Sequence, residues 1–175
     1  MEQNNLFLFL STRAIELHKK YIEDCRLRLS ILGKSGYKIE GKSYQELCRA
    51  RFGNAKSEVL SLSREIYLHE IYFDSFAQGC ASLNILKLRF GSLASFLYTI
   101  ECEAMESNGG FLTVSRLGDE IVIGHSARIG DRFRGTPILA LDLCEHAYFL
   151  DYGFDNLSYV RAALSHLDTV KLDKI

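Results

Sequence analysis

Apolar residues recur at helical spacing from Ser11 to Leu32. Ile15, Leu17, Ile22, Cys25, Leu27, Leu29 and Leu32 approximate the helical period, with Ser11-Thr12 as cap and Gly33 to Gly36 as stop. Tyr37 to Lys42 reads as a polar connector, and Ser43 to about Phe52 as a brief helix capped by Ser43 and ended by Gly53-Asn54. A second long helix is predicted from about Ala55 to Phe76, where Val59, Leu62, Ile66, His69, Ile71, Phe73 and Phe76 lie on or near one face. Ser57 and Glu58 suit its first turn. Gln78-Gly79-Cys80 breaks the pattern. It divides the chain into an expected helical-hairpin lobe, residues 1–80, and a second lobe, residues 81–175.

Ile85 to Arg89 and Ser92 to Met105 continue as helices, separated by Phe90-Gly91. The pattern then switches to strict alternation. Phe111 to Arg116 and Glu120 to His125 flank Leu117-Gly118-Asp119, which is hairpin chemistry. Ala127 to Gly135 reads as a glycine- and arginine-containing loop, Thr136 to Leu141 as a third apolar strand, and Tyr159 to Leu167 as a closing helix. This order predicts an α+β fold: a long α-helical hairpin, then an α/β lobe with a three-stranded antiparallel sheet.

Composition narrows the class. With 175 residues, 47% hydrophobic and 25% charged, the chain fits one globular domain or two small lobes sharing a core. A formal net charge of −1 gives no electrostatic case for nucleic acid or an anionic membrane. Leu6 to Leu10 is too short to span a bilayer, and Glu2 without a basic residue is not the charged start of a secretory signal. The five cysteines are scattered with no CxxC, so zinc-finger and thioredoxin readings fail, and reduced thiols in a cytoplasmic protein are the expectation.

Asp142-Leu-Cys-Glu-His146 carries the chemistry. A carboxylate and an imidazole stand four residues apart where the apolar run Pro137 to Leu141 gives out, forming half of a first-row transition-metal site. His18 and His69 sit mid-helix among apolar neighbours on the two long helices. Antiparallel packing of those helices brings such imidazoles together. Three nitrogens and one carboxylate suit Fe or Mn better than a thiolate-rich zinc site. Taken singly, each histidine also reads as a hydrogen-bonded core residue, and Asp142 as a strand-end cap.

Leu141-Asp-Leu-Cys-Glu-His-Ala-Tyr-Phe149 resembles the DxWEHAYY metal-binding signature of the iron/manganese superoxide dismutases. Ser11 to His18 is similar to the start of that family's first long helix, His69-Glu-Ile-Tyr-Phe73 to its H-x-x-[FY]-W segment, and Phe90 to Phe96 to its FGSxxxF helix opening. Gly110-Phe111 stands where the family has Gly-Trp, and Thr136-Pro137 also fits. The likeness covers roughly residues 5–170 in the family's order. It implies one Fe or Mn ion between the lobes, held by His18, His69, Asp142 and His146. It implies superoxide as substrate, converted to oxygen and peroxide as the metal alternates between +3 and +2. It also implies a homodimer or tetramer in which Glu145 reaches the partner's ligating histidine.

The departures gather around the ligands. Ungapped alignment puts Arg26 at the family's gateway tyrosine and Ile22 at its conserved histidine, while Phe149 replaces the tyrosine that pairs with that histidine across the dimer. Cys144, Phe73 and Phe111 replace tryptophans, and Asn156 falls where an arginine is usual. The family's glutamine or histidine that holds the metal-bound solvent is not evident: one family position is Glu65 here and the other lies near His125, for which an exposed strand-end histidine is the simpler reading. Arg128, Arg132 and Arg134 are available to steer an anion, a solvated loop being the simpler reading, and His166 is expected to be solvated. The expected function is dismutation at a site with rebuilt surroundings. The alternatives are a weak or inactive dismutase-fold protein with a binding or assembly role, and other redox chemistry beside Cys144.

Overall fold

A computed structural model describes residues 9–50, 57–76, 90–126, 134–168 and 170. The first long helix, α1, spans Thr12–Lys34; Ser11 caps it, its side chain accepting the Ala14 N–H at 3.1 Å. Its buried stripe is Ala14, Ile15, His18, Ile22, Cys25 and Leu29, whereas Leu17, Leu27 and Ile31 face outward. The apolar periodicity was therefore wider than the face that packs. Helix α2, Tyr44–Arg49, is held by a reciprocal capping box between Ser43 and Glu46. It ends short of Phe52, which lies outside the described residues together with Gly53-Asn54 and Ala55.

Helix α3, Ser57–Asp74, serves two cores. Val59, Leu62 and Ile66 join Ile22, Cys25, Leu29 and Leu47 in a cluster within the hairpin. Leu68, Tyr72 and, just past the helix, Phe76 join the main core under the sheet. The helices run antiparallel: His18 lies beside His69, and farther along α1 Arg28 pairs with Glu58 near the start of α3 at 2.8 Å. The expected boundary at Gln78-Gly79-Cys80 and the helix Ile85 to Arg89 lie outside the described residues.

Helix α4, Leu93–Glu106, leads into strands β1 (Phe111–Leu117), β2 (Glu120–Ser126) and β3 (Thr136–Asp142). They form the expected three-stranded antiparallel sheet, with β1 and β2 paired as the hairpin pattern predicted; the strand order is β2-β1-β3. The β1–β2 connection is the two-residue turn Gly118-Asp119, with Gly118 at φ 61° supplying the positive φ such turns need. Where β3 begins, Gly135 at φ 86° leaves no room for a Cβ, which would stand 2.2 Å from the Arg116 carbonyl oxygen. Pairing of Phe111 with Asp142 then fixes where β3 ends.

Two helices close the fold. Helix α5, Glu145–Tyr152, follows β3 almost at once, a helix the sequence pattern did not announce. Its N-cap is Cys144, whose side chain makes no capping hydrogen bond, so the usual start signal is missing. Helix α6 is Asn156–Leu164, against the predicted Tyr159 to Leu167: it starts earlier because Asp155 accepts the Ser158 N–H at 3.0 Å, and it ends earlier, with Ser165 as C-cap.

Candidate metal centre

Four elements deliver one side chain each to a common point. His18 comes from α1, His69 from α3, Asp142 from the end of β3 and His146 from the first turn of α5. Their donor atoms all lie within 4.8 Å of one another. Asp142 Oδ2 stands 3.2 Å from His18 Nε2, 3.3 Å from His69 Nε2 and 3.0 Å from His146 Nε2. Yet Asp142 Oδ2 and both nitrogens of His18 are buried without a properly directed hydrogen bond. Buried polar atoms so close and so poorly bonded are costly unless something satisfies them together. Donors sharing one cation at bond lengths of about 2.0–2.2 Å stand roughly 3.0–3.5 Å apart, the spacing seen between Asp142 Oδ2 and each imidazole Nε2. The residues fit a metal ion.

The surroundings orient these donors. The His69 Nδ1–H donates to the Glu65 carbonyl at 2.6 Å, which leaves Nε2 with its lone pair toward the centre. Asp142 Oδ1 accepts the Cys144 N–H at 2.9 Å, and the Asp142 carbonyl accepts the Tyr159 hydroxyl at 2.8 Å. Burial acts to raise the Asp142 carboxyl, but His146, His18 and His69 outweigh it and hold it well below the ordinary carboxylate range. Burial lowers His18 despite Asp142. At His146 burial acts the same way but is overcome by Asp142, so that imidazole is raised. Phe111 packs edge-on to His69 at 4.9 Å and Phe73 lies 5.2 Å from His18, filling the tryptophan positions with apolar rings.

Other expected residues fall as follows. Glu65 adjoins the centre, its Oε2 3.8 Å from His69 Nδ1, and burial raises its carboxyl. His125 does not join it: its Nε2 pairs with Glu103 at 2.9 Å on the exposed side of β2, tied there by the strand's register. Arg26 points away and pairs with Glu70 at 3.0 Å, while Ile22 is buried in the hairpin cluster. Glu145 is exposed, and Phe149 is exposed with its ring 5.1 Å from Phe154, itself 87% exposed. Arg134 is exposed; Arg128 and Arg132 lie outside the described residues. His166, expected in solvent, is half-buried with its ring 5.6 Å from Phe9.

Tyr21 is the residue that sequence reasoning missed. Its ring lies 4.6 Å from His146 and 5.5 Å from His69, its hydroxyl meets the Cys25 thiol, and burial followed by Glu65 raises the phenol. The signal was present: Tyr21 follows His18 by three residues, and such pairs share a helix face.

Residues 79–174 match the profile described as iron/manganese superoxide dismutases, C-terminal domain. This chain belongs to the iron/manganese superoxide dismutase family. It is 31% identical over 124 residues to the iron superoxide dismutase of Cupriavidus metallidurans, covering 64% of this chain and 61% of that one. It is 26% identical over 188 residues to chloroplastic iron superoxide dismutase 2 of Oryza sativa subsp. japonica, covering 94% and 70%. With the iron superoxide dismutase of Plasmodium falciparum it shares 29% identity over 116 residues, covering 59% and 58%. The chain thus spans about three fifths of the Cupriavidus and Plasmodium relatives. Within the family's signature, Cys144 holds the tryptophan position, and its Sγ accepts the Gly110 N–H at 3.2 Å.

Proposed function

We propose that this chain is a superoxide dismutase using one iron or manganese ion held by His18, His69, Asp142 and His146. The observation that carries the reading is the approach of three imidazole Nε2 atoms to within 3.0–3.3 Å of one buried carboxylate oxygen without directed hydrogen bonds. When bound, the ion supplies a one-electron couple that oxidises one superoxide to oxygen and reduces a second to peroxide. The chain's part is to hold and surround it. His18 and His69 are sealed by Tyr72, Phe73 and Phe111, whereas His146, 33% exposed, marks the open side. Tyr21 stands over that side, and this reading assigns Glu65, which lies beside His69, to position a solvent molecule.

The same reading assigns Glu145, Phe149 and Phe154 to the contact between two subunits, supported by the exposure of two apolar rings beside an exposed carboxylate. It keeps the division into a hairpin lobe, 1–80, and an α/β lobe, 81–175, and a cytoplasmic location. No helix among the described residues is long and apolar enough to cross a membrane.

The test is metal content by mass spectrometry together with superoxide decay by pulse radiolysis on the purified protein. The expected result is close to one ion per chain with decay well above that of free metal. Stoichiometric metal with background decay would instead favour a binding or assembly role for the fold, the reading to which the displaced Arg26 and the Cys144 substitution lend support.

A further inference from the structure

Away from the metal centre, a cavity of about 880 Å³ opens where the C-terminal half of α1 meets the connector to α2. Its floor is apolar. Leu29 and Leu47 are buried in the hairpin cluster, and Tyr37, Ile39 and Tyr44 pack against that cluster from the connector side. Its rim is cationic, with Arg26, Lys34, Lys38 and Lys42 set against a single carboxylate, Glu40. The whole chain carries a formal charge of −1, so this rim is a local concentration of positive charge. Arg26 is already engaged by Glu70, whereas Lys34 and Lys38 have no carboxylate partner among the described residues.

These two features select one kind of ligand. Cations around an apolar floor disfavour a neutral hydrophobe, and the floor itself gives nothing to a bare inorganic anion. The volume lies within the usual range for small-molecule sites, about 300–1,000 Å³. Lysine ammonium groups bind phosphate as point charges, and tyrosine rings accept flat rings in offset or edge-on contact. We propose that this groove binds a small aromatic phosphate of the nucleoside monophosphate type, its ring on the side of Tyr37 and Tyr44 and its phosphate between Lys34 and Lys38. None of His18, His69, Asp142 and His146 lines the groove, so the proposal stands apart from the metal chemistry.

Calorimetric titration of the full chain with AMP, with adenosine and with inorganic phosphate tests it. AMP is expected to bind saturably and at least about tenfold more tightly than either half-molecule. The triple variant Lys34→Gln, Lys38→Gln, Lys42→Gln is expected to weaken AMP roughly tenfold, with metal content unchanged, because the phosphate contact is lost. Added salt is expected to weaken binding to the unaltered chain. The proposal is overturned by no saturation at about 10 mM AMP, by phosphate binding as tightly as AMP, or by unchanged binding in the variant.

Discussion

Asp142 Oδ2 is the meeting point of the candidate metal centre, and Asp142→Asn keeps its shape while removing its charge. Metal content at equal supply is expected to fall at least roughly tenfold, since even residues one step behind a ligand have effects of that size. Mass spectrometry of the metal beside circular dichroism checks this, and full occupancy with native structure would contradict the assignment. Cys144 gives a second expectation. Burial, then Asp142, pushes its thiol up to about 12, so its reactive thiolate fraction at pH 8 is lower than that of a free thiol. Iodoacetamide is therefore expected to label Cys144 at least about a hundredfold more slowly in the folded protein than in urea, followed by peptide mapping. Donor identity was legible in the sequence because imidazole and carboxylate chemistry travels with the residue. Which neighbours stand over those donors was not. Arg26 and Tyr21 share a helix, and only the rotation of α1 against α3 brings Tyr21 to the histidines and leaves Arg26 with Glu70.

At the scale of elements, β3 must end at the right residue for Asp142 to reach the centre, and two features hold it. Gly135 allows β3 to begin against the Arg116 carbonyl, so Gly135→Ala introduces both a clash and a strained φ. A loss of about 2–4 kcal/mol is expected, read as a lowered denaturant midpoint. At the other end, Tyr159 from α6 donates to the Asp142 carbonyl and contacts the Tyr72 hydroxyl at 3.2 Å. Tyr159→Phe removes both of these buried hydrogen bonds and is expected to cost roughly 1–3 kcal/mol in the same measurement. A value near zero would show that neither bond fixes the strand end. The strands and long helices were readable because alternation and helical spacing are local. Helix α5 was not, since Cys144 supplies no capping hydrogen bond; only Gly153, at φ 56° past its end, marked a limit.

At the scale of the molecule, the centre ties α1 and α3 to β3 and α5, so a bound ion links the hairpin to the sheet. An ion that binds only the folded chain, present at about a thousand times its dissociation constant, stabilises by roughly 4 kcal/mol. For a chain of this length, chelation is expected to lower the melting temperature by on the order of 10 °C in calorimetry, restored by iron or manganese. An unchanged melting temperature would mean that the four donors do not share an ion. By itself the sequence determined the α+β class, the order of the long helices and strands, and the four candidate donors His18, His69, Asp142 and His146, because periodicity and functional-group chemistry are properties of short stretches. Only the tertiary structure decided that Tyr21 stands over His146 and His69, that the Glu65 carboxylate lies beside His69, that His125 pairs with Glu103 and that Arg26 turns away. Those outcomes depend on helix rotation, strand register and the packing of α3 against two cores at once, none of which is encoded within a single segment.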